Sequence, residues 1–95
     1  MVNKYETIFI VNPELDEEAT KSIIEKVKNL IESEAELENI DEWGKRKLAY
    51  PINYLNEGYY VLANFTAKPE FPQELDRVYK ITEGVIKYII IKKDN

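Results

Sequence analysis

Apolar positions recur in two rhythms along this chain. Lys4 to Val11 is rich in β-branched and aromatic residues and is stopped by Asn12-Pro13, which predicts a strand. Asp16, Glu17 and Glu18 suit a helix N-terminus, where a short carboxylate caps backbone N–H groups and further acids meet the positive end of the dipole. Ala19, Ile23, Val27, Leu30 and Ile31 follow at helical spacing, so an amphipathic helix is expected to near Glu34. Lys21, Glu25, Lys28 and Glu32 make its solvated face. Leu37 to Ile52 reads as a long strand, with Gly44 a bulge or close approach and Pro51 marking its end. Asn53 to Gly58 has turn composition and Tyr59 to Lys68 is a third strand, so the pair forms a hairpin. Pro69 and Pro72 bracket a connection, and Pro72 suits the first turn of a second helix. The inner stripe of that helix is Leu75, Val78, Tyr79 and Thr82, with Gly84 at C′. Val85 to Lys92 is the last strand. The order β-α-β-β-α-β is the split βαβ, or ferredoxin-like, α+β arrangement. It implies one domain over residues 1–95, with a four-stranded antiparallel sheet and two helices on one face.

The helix-free face of such a sheet should alternate to polar. Here it does so poorly. Ile8 and Ile10 share that face in the first strand, Tyr60 and Leu62 in the third, and Tyr88-Ile89-Ile90-Ile91 is apolar on both sides. A contiguous apolar patch is expected, and such patches mark binding surfaces. Good strand formers on an open sheet would give the same pattern. Tyr5, Phe9, Ile23, Val27, Leu30, Val61, Phe65, Leu75 and Val78 are expected to form the core.

Composition narrows the chemistry. The 95 residues include no cysteine and no histidine. That removes disulfides, thiolate zinc sites, cysteine nucleophiles and the commonest general base. No enzyme, cofactor or metal site is expected. Absent cysteine fits a reducing cytoplasm. The opening Met1-Val2-Asn3-Lys4 does not resemble a signal peptide, and no apolar run approaches the roughly 20 residues that span a bilayer. Net charge is −5, unevenly spread: residues 1–42 hold 4 basic and 12 acidic side chains, residues 43–95 hold 9 and 6. An acidic chain argues against nonspecific nucleic-acid binding, but a local basic patch can still act if the acids face away. The acids Glu34, Glu36, Glu38, Asp41 and Glu42 lack the spacing of a calcium loop and read as a solvated face.

Lys45-Arg46-Lys47 is the densest cationic feature, with Trp43 before it and Tyr50 after. Cations beside aromatic rings suit RNA, whose phosphates and unpaired bases they match. A charged edge strand that discourages edge-to-edge pairing has the same composition.

These residues also resemble a family. Trp43-Gly44-Lys45-Arg46-Lys47-Leu48-Ala49-Tyr50-Pro51-Ile52, followed by Glu57-Gly58-Tyr59-Tyr60, is similar to the hallmark of bacterial small-subunit ribosomal protein six. Lys4-Tyr5-Glu6, Asn12-Pro13 and Leu15-Asp16 fall in the matching order. The resemblance implies a ferredoxin-like ribosomal protein of the cytoplasm. It implies binding of small-subunit ribosomal RNA in the central domain, together with small-subunit ribosomal protein eighteen as a heterodimer. Many members carry a longer acidic tail; this sequence ends Lys92-Lys93-Asp94-Asn95, so no tail function is carried over. On this reading Lys45, Arg46 and Lys47, helped by Lys4, Lys87, Lys92 and Lys93, contact RNA phosphates. Ile8, Ile10, Tyr50, Tyr60 and Leu62 form the partner-protein surface. Tyr50 and Tyr60 could equally stack on bases, and alternation leaves that open. Neither a membrane nor a small-molecule substrate is expected as a partner.

Three rivals share the fold. An autonomous RNA-recognition-motif domain would use Gly58-Tyr59-Tyr60-Val61-Leu62-Ala63-Asn64-Phe65, but Glu57 replaces the basic residue before the glycine and Ile8 and Ile10 replace stacking aromatics. An acylphosphatase-like enzyme would need a phosphate cradle where Asn12-Pro13-Glu14-Leu15-Asp16 is acidic. Nucleoside-diphosphate-kinase chemistry would need a histidine. A small-ligand regulatory domain would form a stable homodimer.

Overall fold

The computed structural model describes residues 1–52 and 54–93. Six elements follow in order: β1 (Asn3–Val11), α1 (Glu17–Glu34), β2 (Glu36–Ile52), β3 (Leu55–Ala67), α2 (Phe71–Ile81) and β4 (Val85–Lys92). The strands form one antiparallel sheet in the order β2-β3-β1-β4. This is the expected ferredoxin-like topology.

Local chemistry accounts for the boundaries. The Asn12 side chain accepts from the Glu14 N–H at 2.8 Å and turns the chain out of β1. Asp16 caps α1 by accepting from the Ala19 N–H at 2.8 Å, and Glu17 and Glu18 occupy the first turn. At the far end the Ala35 N–H reaches the Ile31 carbonyl at 2.7 Å, and the backbone there turns extended. Pro72 lies in the first turn of α2 as expected. Two expectations are displaced. α2 is capped at Thr82, so Gly84 lies beyond C′; its φ of +100° serves the turn into β4. Asn56 to Gly58 belong to β3, which starts at Leu55 rather than Tyr59. Turn composition mimicked a loop there because the tip of a long hairpin is solvated on both faces. Asn53, the first residue of the expected turn, lies outside the described residues.

α1 and α2 cover one face of the sheet. Ile24, Val27 and Ile31 from α1 and Phe71, Leu75 and Tyr79 from α2 close over Tyr5, Phe9, Val11, Val61 and Phe65. Leu30, expected in the core, is half-buried, and Ile24 takes the inward position that the stripe missed. Aromatic rings pack in series: Tyr5 on Phe65 at 5.5 Å, Phe65 edge-on to Phe71 at 5.5 Å, and Phe9 on Tyr79 at 5.4 Å. The buried Thr7 hydroxyl is satisfied twice. It donates to the Ile89 carbonyl at 2.8 Å and meets the Tyr79 hydroxyl at 2.9 Å.

Candidate nucleic-acid and partner interface

Unequal strand lengths create the site. β2 has 17 residues and β3 has 13, against 9 in β1 and 8 in β4. The β1–β3 ladder ends at Val11 opposite Tyr59, so the β2–β3 hairpin runs on as an arm. Lys45, Arg46 and Lys47 pair with Tyr59, Gly58 and Glu57 at the base of that arm. Alternation therefore sends Arg46 to the helix-free face, with Gly58 and Tyr60, and Lys45 and Lys47 towards the helix side, although Lys47, on the edge strand, also reaches a notch lined by Trp43, Arg46 and Tyr60. All three are exposed.

Pairing shifts three times in β2, first between Leu37 and Asn39. Between Glu42 and Gly44 the expected bulge is present, with Gly44 at φ +81°. Only glycine adopts this conformation without strain. The third shift lies between Lys47 and Ile52. It frees Leu48 to Pro51 from regular pairing and folds the arm over the sheet. Leu48 is 7% exposed and Ile10 is 6% exposed, so Ile10 is covered by its own chain and is not part of the open surface. Tyr50 reaches across to β4. Lys87 Nζ donates to its hydroxyl at 3.0 Å and lies 5.0 Å from its ring centre. The ammonium draws the Tyr50 hydroxyl below its ordinary pKa, and the same bond raises Lys87. Lys87 is thus a mid-strand residue engaged with Tyr50, not a strand-end cation.

The remaining expected cations sit elsewhere. Lys4 pairs with Thr66 and Lys92 with Tyr5, at the opposite end of the sheet. Lys4 is seven residues from Val11, or roughly 23 Å at ~3.3 Å per residue. Lys93 lies 3.8 Å from the Glu6 carboxylate. Lys92 lines a groove with Asp76 and Pro72 on the helix side. The seven expected RNA-facing cations thus form two groups: Lys45, Arg46, Lys47 and Lys87 near the arm, and Lys4, Lys92 and Lys93 at the far end.

The helix-free face is apolar along its centre. Ile8 pairs with Leu62 on one side and Ile89 on the other, and Tyr60 lies opposite Ile10. Ile89 and Ile91 are 42% and 44% exposed. Neither was singled out from the sequence, because a run of isoleucines hides which ones point outward; the β1–β4 register decides it. Trp43, the aromatic that precedes the basic run, adds to this face. It is exposed and stacks on Tyr60 with centroids 6.1 Å apart.

On the helix side, Tyr59 donates to Glu42 at 2.9 Å, which raises the Tyr59 pKa. Lys45 shares a cleft of about 420 Å³ there with Lys21, Glu17 and Glu42, a mixed-charge lining that favours neither sign of ligand. Among the described residues, no group of three or more His, Cys, Asp or Glu could hold a metal, and no helix is long and apolar enough to cross a membrane.

A four-stranded sheet with helices on one face, an apolar opposite face and a basic hairpin arm defines a ferredoxin-like binding domain. Comparisons with known proteins make this specific. Residues 4–92 match the family model described as ribosomal protein S6. The small ribosomal subunit protein bS6 of Clostridium novyi is 58% identical over 94 residues, covering 98% of this chain and 99% of the relative. That of Caldanaerobacter subterraneus is 54% identical over 95 residues, covering 99% and 100%. A crystal structure of 30S ribosomal protein S6 from Thermotoga maritima superposes with a TM-score of 0.92 at 30% identity, covering 98% of this chain and 89% of that one. The C-terminal domain of MgtC from Mycobacterium tuberculosis shares the fold alone, with a TM-score of 0.64 at 14% identity over 97% of this chain and 88% of that one. The chain belongs to the ribosomal protein S6 family. It is a protein of the small ribosomal subunit, and its family is structural rather than enzymatic.

Proposed function

We propose that the chain binds small-subunit ribosomal RNA in the central domain and does so together with small-subunit ribosomal protein eighteen. The RNA side is Lys45, Arg46 and Lys47; Lys4, Lys92 and Lys93 give a second, separate set of phosphate contacts. The protein side is Ile8, Leu62 and the exposed Ile89 and Ile91, with Tyr60 at its border with the RNA side. Lys87 and Tyr50 hold the arm against the sheet between the two.

The observation that carries this reading is adjacency. An uncovered apolar face and a cation-bearing arm meet at Arg46 and Tyr60. Phosphate contacts position a protein on RNA, and an apolar patch of this kind needs a protein to cover it. A net charge of −5 supports a basic partner that supplies part of the phosphate neutralisation.

The test is a salt-dependent titration of a central-domain ribosomal RNA fragment, with and without protein eighteen. Tight binding only with the partner is expected. Tight binding by the chain alone would instead favour an autonomous single-stranded RNA binder. Failure to bind in both arms would remove the RNA reading.

A further inference from the structure

Trp43 is the only tryptophan in the chain and the extra residue of the Glu42/Gly44 bulge. Alternation from Glu42, on the helix side, puts its indole on the helix-free face beside Tyr60. The two rings are close to parallel, 14° between planes. The indole N–H donates to Asp41 at 3.0 Å, which sets the rotation of the ring from within its own strand. With 38% of its surface still exposed, the ring is fixed without being covered.

Beside the rings lies an open notch of about 440 Å³, lined by Trp43, Tyr60, Arg46 and Lys47. Its walls are two aromatic rings and two cations, with no carboxylate among them. A nucleotide complements both halves of that lining. Its base has a flat π-face for the rings, and its phosphate matches the guanidinium and ammonium. A basic protein segment would be repelled by Arg46 and Lys47, whereas the cations bordering the patch at Ile8, Ile89 and Ile91 are engaged, Lys87 with Tyr50 and Lys93 with Glu6. Stacking on a side chain requires a base free of its own helix.

We infer that Trp43, held against Tyr60, is a stacking platform for one unpaired base of the bound RNA, whose phosphate is taken by Arg46 and Lys47. This rests on the RNA-binding reading above. It adds a contact whose energy does not come from counterion release, so it should separate from the cation cluster in a salt series.

A sole tryptophan makes the platform directly observable. The full chain is mixed first with protein eighteen and then with the central-domain RNA fragment, with emission from the partner and RNA measured separately and subtracted. The expected result is little change in Trp43 emission on adding the protein and strong quenching on adding RNA. Trp43→Ala should weaken RNA binding roughly 5- to 150-fold with the salt slope unchanged, the range expected for losing one stacked base. Trp43→Phe, which keeps a ring, should recover most of the loss. Quenching by the partner protein before RNA is added would overturn the platform, since a protein would then occupy the indole. Undiminished RNA affinity in Trp43→Ala would overturn it too, and so would RNA binding by the unaltered chain without quenching. Both of those results leave the RNA-binding role standing. No RNA binding at all by the unaltered chain with its partner would remove both.

Discussion

Gly58 and Ile10 are in direct contact across the helix-free face: a methyl group at Gly58 would overlap Ile10 Cγ2 and touch Leu48 Cδ2 at 3.4 Å. The missing side chain lets the base of the arm lie flat on the sheet and lets Leu48 seal Ile10. Because Cγ2 is a branch methyl next to the backbone, it cannot swing away as the end of a long side chain would. Gly58→Ala should therefore destabilise the fold by about 1–3 kcal/mol. That corresponds to a Tm lower by roughly 5–20 °C for a domain of this size. In an Ile10→Ala background the same change should cost clearly less, because the two sites share one contact. Additive losses in thermal melts of the four variants would refute the contact as the cause.

The buried Thr7–Tyr79 pair makes a second prediction. Since Thr7 donates to the Ile89 carbonyl, Tyr79 donates to Thr7. Tyr79→Phe removes that bond while keeping the ring against Phe9 and Tyr88. The expected cost is about 1–2 kcal/mol by urea denaturation. RNA affinity should not change, because Tyr79 lies on the other side of the sheet from the arm.

Neutralising Lys45, Arg46 and Lys47 together should flatten the salt dependence of RNA binding. Each phosphate contact contributes about 0.7–0.9 to the slope of log affinity against log salt, so the loss should approach 2–3 units. The Tm should hardly move, since all three side chains are exposed and none forms an ion pair among the described residues. An unaltered slope would take the phosphate role away from this segment.

Alkaline pH should weaken the fold through two tyrosines at the contact between α2 and β4. Tyr88 is pushed up to about 12 by its 2.6 Å bond to the Asp76 carboxylate, and Tyr79 is pushed up by burial. Above pH 10 their unfolded counterparts ionise while these two keep their protons. The unfolded state then binds fewer protons, and stability falls as pH rises from about 10 towards 12. Tyr50, drawn below its ordinary value by Lys87, acts in the opposite direction. Comparison with Tyr88→Phe therefore isolates the effect. That variant should lose less stability between pH 8 and pH 11 in urea melts. An equal loss in both proteins would show that the Tyr88–Asp76 bond does not set the profile.

Much of the architecture was legible in the residues themselves. Helical spacing of apolar residues and stretches of strand-forming residues between turn signals placed every element, Asp16 marked the start of α1, and Gly44 marked the bulge. These are local signals, produced by backbone sterics and capping within a few residues. The resemblance carried by the Gly44–Ile52 run led to the right family. Composition also made the apolar helix-free face visible, because too many isoleucines and tyrosines had to share a two-sided sheet.

Which residues occupy that face was a tertiary matter. Ile10 and Ile8 share a face by alternation, yet Leu48 buries one and leaves the other half-open. Lys87 looked like another free cation until the β1–β4 register set it opposite Ile10, under Tyr50. Lys4, Lys92 and Lys93 belong with Lys45, Arg46 and Lys47 by charge alone, and the antiparallel ladders place the two sets at opposite ends. Alternation by itself determines that two neighbours point apart. Only strand pairing and the irregular fold of the arm decide what each of them meets, because those contacts join residues dozens of positions apart.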